Sequence, residues 1–173
     1  MFTKQTKFIL AIALQVAIIF AIIIFKLSIL TGGTDVLLKI APVDPRDLLR
    51  GDYATFQYDI SAVDSYYANN QQIKNGDTVY VVLGPRGKYY VVEYVQKTKP
   101  TEGELFIKGK VEGGDQRFGR SRLRVVYGIE QYFIPEGAGR DFSFWNKEAA
   151  ARVAIDENGN AALKQIYVDD QPW

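Results

Sequence analysis

Apolar residues follow two unlike patterns along this chain. From Phe8 to Phe25 they run almost without a break, with Gln15 the one polar residue among them. About 18 to 23 apolar residues at 1.5 Å rise match the roughly 30 Å hydrocarbon core of a bilayer, and a helix satisfies its own backbone there. Beyond residue 34 the apolar runs are short. They are built from Val, Ile, Tyr and Phe and separated at short intervals by Gly, Pro, Asn or Asp, which predicts many short strands.

Strands are expected over residues 36–41, 53–60, 78–83, 89–96, 105–111, 123–128, 129–134, 152–155 and 161–168. In the second of these, Ala54, Phe56, Tyr58 and Ile60 alternate with polar neighbours and would share one face. Gly84-Pro85-Arg86-Gly87 reads as a hairpin loop, and Asn158-Gly159 is the strongest short hairpin signal in the chain. Helical spacing occurs only over 63–71 and 141–151, the latter placing Phe142, Trp145 and Ala149 on one face. The expected fold is mainly β, one antiparallel barrel or sandwich with one or two short helices, preceded by a single N-terminal transmembrane helix.

The apolar run decides where the rest would sit. A cleaved signal peptide has an apolar region of about 7 to 15 residues ending in small residues; this run is longer, and 27–34 offers no such site. An uncleaved anchor is therefore expected at 8–30, with a short N-terminus at 1–7, a flexible linker at 31–34 and an outer domain at 35–173. Lys4 and Lys7 favour a cytoplasmic N-terminus, which puts the domain outside a plasma (inner) membrane. Lys26 can snorkel to the outer headgroups. Gln15 reads as a tolerated amide or as a hydrogen-bond handle for a partner helix.

Composition narrows the chemistry. Cys and His are absent, so disulfides, thiolate nucleophiles and imidazole bases or ligands play no part. Twenty-one Lys and Arg face twenty Asp and Glu, leaving no net field to recruit nucleic acid. Arg120, Arg122 and Arg124 would share one strand face, a solvated face or one that meets anionic headgroups or an acidic partner. No cofactor is implied.

The densest polar cluster is Pro42-Val43-Asp44-Pro45-Arg46-Asp47-Leu48-Leu49-Arg50-Gly51-Asp52-Tyr53. Two prolines hold it extended or turned, the aspartates can cap backbone amides, and Gly51 suits a turn. Lys74-Asn75-Gly76-Asp77 repeats that device before the next strand, which favours a structural role for both. Alternatively, Asp44, Arg46, Asp47, Arg50 and Asp52 line one polar pocket. Their carboxylates could hold a hard cation, although the spacing matches no EF-hand-type loop.

Gly51-Asp52-Tyr53-Ala54-Thr55-Phe56-Gln57-Tyr58 resembles the motif that names the GDYXXLXY proteins, uncharacterised membrane-anchored bacterial proteins. The lead-in from Pro42 to Asp47 is similar to theirs. Tyr127-Gly128-Ile129-Glu130-Gln131-Tyr132-Phe133-Ile134-Pro135-Glu136-Gly137 resembles a second signature, and 153–168 a C-terminal hairpin. Phe56 replaces the named leucine, an apolar exchange. The resemblance implies an anchored outer domain, often encoded beside a polytopic membrane protein, and no established activity.

Glu130 and Glu136 would lie at the rim of the second signature's strand, as an exposed ion pair with Arg140 or as part of one acidic site with the early aspartates. Peptidases of the signal-peptidase type carry Ser-x-x-Pro before a Gly-Asp strand. Here Pro42-Val43-Asp44-Pro45 stands in that place, so Lys108 has no serine to activate. The expected function is therefore a non-catalytic interaction or accessory protein of the cell envelope, held in lipid and partnering a polytopic membrane protein. The alternative is an outer enzyme or cation-binding module built on the carboxylates.

Overall fold

In the computed structural model, which describes residues 3–41, 53–68, 72–117, 120–133 and 147–173, the N-terminal apolar run is a single helix, α1 (Lys4–Gly32). Thr3 caps it, its Oγ1 accepting the Thr6 N–H at 3.2 Å. Ser28 and Thr31 donate their hydroxyls to the carbonyls of Phe25 and Leu27 at 2.8 and 2.9 Å. Neither hydroxyl is thus a loose polar group on an apolar surface. The helix is long and apolar enough to cross a membrane, and its large side chains from Phe8 to Leu27 touch little else of the protein.

The rest is mostly β, closing into a nearly complete antiparallel barrel. The strands are β1 (Thr34–Ala41), β2 (Tyr53–Thr55), β3 (Gln57–Tyr58), β4 (Ala62–Asp64), β5 (Thr78–Arg86), β6 (Tyr89–Gln96), β7 (Phe106–Arg117), β8 (Arg120–Val126), β9 (Gln131–Phe133), β10 (Ala149–Ile155), β11 (Ala161–Val168) and β12 (Gln171–Pro172). One sheet runs β12-β11-β10-β1-β3, another β4-β8-β7-β5-β6, and β2 pairs with β9. Alternation drives the closure. Val36, Leu38 and Ile40 point into the core while Asp35 and Lys39 face out, and each fully buried aliphatic side chain contributes about 1.5–3 kcal/mol.

Small residues attach α1 to this barrel. Ile29, wholly buried, sits on Ala154 and Ala162, which are register partners on β10 and β11. Alanine keeps that outer surface flat enough for the helix to approach. Gly33 alone separates α1 from β1, and its N–H closes onto the Ile29 carbonyl at 2.9 Å. A Cβ there would stand 2.7 Å from that oxygen and 3.0 Å from the Ile155 backbone, so only glycine fits without a shift. Of the expected linker at 31–34, Thr31 and Gly32 end α1, Thr34 opens β1, and Gly33 is the joint between them.

Several expected elements change character. Residues 53–60 do not form one strand: β2 and β3 flank Phe56, and a 3₁₀ turn follows at Asp59–Ser61, although Phe56, Tyr58 and Ile60 do share the buried face. The expected helix at 63–71 is instead β4 plus a 3₁₀ turn at Ser65–Ala68, because Val63 pairs with Leu123 of β8. The expected helix at 141–151 ends in a strand, with Ala149–Ala151 paired to Val168, Tyr167 and Ile166; its 141–146 part lies outside the described residues. The β5–β6 hairpin zips past Pro85, which faces Tyr90, to a tighter turn at Gly87-Lys88. Asn158-Gly159 does turn a hairpin, in a five-residue loop organised by Asp156, whose carboxylate accepts the Asn158 and Asn160 amides.

Candidate functional site

The two sequence signatures meet. β2, from the first, pairs antiparallel with β9, from the second, placing Tyr53 opposite Phe133, Ala54 opposite Tyr132 and Thr55 opposite Gln131. The Phe56 N–H continues the seam by donating to the Glu130 carbonyl at 3.0 Å. Short apolar stretches far apart in sequence are thus joined by backbone bonds where the chain has no long strand of its own.

Two tyrosines lock this seam from inside. Tyr58, 1 % exposed, donates its hydroxyl to the Ile129 carbonyl at 2.7 Å. Tyr127, itself buried, donates to the Ile60 carbonyl at 2.6 Å. Each signature therefore satisfies a backbone oxygen beside the other, and a buried carbonyl left without a donor would cost about 1–3 kcal/mol. Gly109 of β7 makes room, since a Cβ there would fall 2.9 Å from the Tyr127 ring. Burial first, and the nearby Glu130 carboxylate second, push both phenols well above their ordinary range.

Glu130 acts on its own turn. Its Oε1 accepts the Tyr127 N–H at 2.5 Å and closes the bend at Gly128, whose φ is +77°. Tyr132 stands edge-on to Trp173, ring centres 5.8 Å apart. Of the residues singled out from sequence, Tyr58, Glu130 and Tyr132 are thus engaged by the fold, and Tyr53 takes its place in β2. Asp44, Arg46, Asp47, Arg50, Gly51, Asp52, Pro135, Glu136 and Gly137 lie outside the described residues. The related turn at Gly76 works as expected, the Asp77 carboxylate accepting the Lys74 N–H at 2.8 Å.

Beside the seam lies a groove of about 530 Å³, floored by Phe56 and Val125 and edged by Ser61, Glu112, Arg124 and Glu130. It combines one guanidinium with two carboxylates. Among the described residues, no group of three carboxylates, cysteines or histidines is placed to hold a metal ion. Arg122 and Arg124 do share the outward face of β8.

A larger cleft, about 1360 Å³, lies away from the signatures, between Phe25, Ser28 and Gly32 of α1 and the loop bearing Lys99 and Glu102. A third hollow, about 320 Å³, opens on the other side of Phe25, against Lys26, Lys108 and Lys110. Sequence reasoning missed both, together with the role of Tyr127; only the Lys108/Lys110 alternation hinted at any of it.

The family model described as GDYXXLXY protein matches residues 15–166, most of the chain. No curated protein and no solved structure matches it.

Proposed function

From a chain that belongs to the GDYXXLXY family, we propose a single-pass, membrane-anchored accessory protein of the cell envelope that works by contact rather than by catalysis. In this reading residues 1–7 stay in the cytoplasm, 8–30 cross the inner membrane, and the barrel from 35 onward stands against the outer face. The partner is a polytopic membrane protein, gripped by α1 and by the barrel surface.

One observation carries the reading. Among the described residues α1 buries Ile29 against its own barrel, with Leu30 packed partly beside it, and leaves a long apolar surface free, while a joint of one residue holds the barrel close to that helix. A helix so arranged supports lipid and a second protein as its neighbours. The described signature residues support the contact reading too, since Tyr58, Tyr127 and Glu130 are occupied in holding the seam.

The test is pull-down of the full-length chain from membranes in mild detergent, combined with protease accessibility in intact cells. Co-purification of a polytopic membrane protein, with a barrel digestible from outside, is the expected result. A lone monomer, or a barrel protected inside, overturns the proposal.

A further inference from the structure

We infer that the hollow beneath the barrel, between the end of α1 and β7, binds the phosphate headgroup of an anionic phospholipid. Lys108 and Lys110 are two apart on β7 and both exposed, so their side chains leave the same face of the strand. Lys26 comes to the same hollow from α1, beside Phe25. None of the three has an ion pair among the described residues, whereas Lys88, Lys97 and Lys164 each hold a carboxylate. Three lysines without a carboxylate partner among the described residues line one concavity of about 320 Å³, which suits a phosphate diester in size and in charge.

The position of the hollow selects a lipid over a free phosphate. Counted from Phe8, Phe25 comes about 26 Å along the helix at 1.5 Å per residue, near the edge of a roughly 30 Å hydrocarbon core. Lys26, in the last turns of the span, then reaches headgroup level on the barrel's side of the membrane by snorkelling. Phe25, Ile22 and Ile18 fall three and seven residues apart on one helix stripe, and all three are exposed. Acyl chains can lie along that stripe while the headgroup meets the lysines. An inorganic phosphate would use only the upper half of this arrangement.

This inference rests on α1 spanning the membrane, so the test separates the two. The full-length chain is reconstituted in nanodiscs of equal phosphatidylcholine and phosphatidylglycerol, and the lipids retained on release are counted by native mass spectrometry. A lysine near an anionic surface is worth about fivefold in affinity, less once salt screens it. The preference for phosphatidylglycerol is therefore expected to fall about tenfold in the K26Q/K108Q/K110Q variant.

The K4Q/K7Q variant, changed at the far end of the helix, keeps the preference, and so does the variant with arginine at all three positions. K26Q, outside the barrel core, carries the same test should the triple variant fold poorly. Equal retention by the glutamine variants and the unaltered chain overturns the inference. So does displacement of the retained lipid by millimolar inorganic phosphate, which would make the hollow a free-anion site. A chain that fails to float with vesicles breaks the anchor itself; one that floats without lipid preference breaks only this inference.

Discussion

The seam between the two signatures and the joint between α1 and the barrel are held by opposite means. At the seam, large side chains reach across the core and end in hydroxyls bonded to backbone oxygens, Tyr58 to Ile129 and Tyr127 to Ile60. At the joint there is almost no side chain at all: Gly33, Ala154 and Ala162 leave a bare surface on which Ile29 sits. The seam is specified by what its residues donate, the joint by what its residues lack. Removing atoms should therefore damage the first, and adding them the second.

Truncating the seam is the largest expected effect. Tyr58→Ala should cost about 3–5 kcal/mol, as emptying a core aromatic site does, read as a lower midpoint in denaturant; a loss under about 1 kcal/mol would sink the locking role. Tyr127→Phe keeps the ring but strands the Ile60 carbonyl, for about 1–3 kcal/mol.

Enlarging the joint should act elsewhere. Gly33→Val forces a side chain into the Ile29 and Ile155 backbones, destabilising the docked arrangement by about 1–3 kcal/mol. Spin labels at Leu27 and Glu157 would then report a broadened distance, while the barrel's melting temperature stays put. Barrel unfolding by this change would mean that the joint is part of the core after all.

Finer still is Glu130→Gln. Its amide oxygen can still accept the Tyr127 N–H, but the charge that helps hold up the Tyr58 and Tyr127 phenols is gone. Tyrosinate absorbance should show those two groups ionising at lower pH than in the unaltered chain, with burial keeping them late. A phenol whose folded-state pKa is raised stabilises the fold below its ordinary value and loses that contribution as pH rises through the folded value. The seam should thus weaken only above about pH 10, the ordinary phenol value.

Smallest of all is the response to acid. The Tyr89 hydroxyl first and Lys88 second hold Glu148 below the usual carboxylate range, and the Tyr94 hydroxyl does the same for Glu104. Depressed carboxylates stabilise above their ordinary value and lose that contribution as pH falls below it. A slight drop in melting temperature is expected below about pH 4.5, slight because these groups face solvent.

Legibility in the sequence follows the range of the interactions. The helix could be read because its signal is local and long, and β11 because Asn158-Gly159 and the apolar run after it sit side by side. The second signature could be recognised as a motif, yet its pairing with the first rests on contacts far apart in the chain, which periodicity does not report. Apparent helices failed for the same reason. The spacing of Val63, Tyr66 and Tyr67 looks helical, but Tyr66 is 85 % exposed and Val63 belongs to β8's register. The alanines at 149–151 favour helix in isolation and were claimed by β11. The basic hollow was half legible: Lys108 and Lys110 alternate visibly, whereas Lys26 joins them only because α1 turns directly into β1.

That direct turn has a mechanical consequence. With a single glycine at the corner, the barrel has little freedom to swivel independently of the helix. Any roll of the helix about its long axis swings the whole attached body and carries its charged flank around that axis. A rotation begun along the helix is in this way delivered to the barrel without any messenger in between.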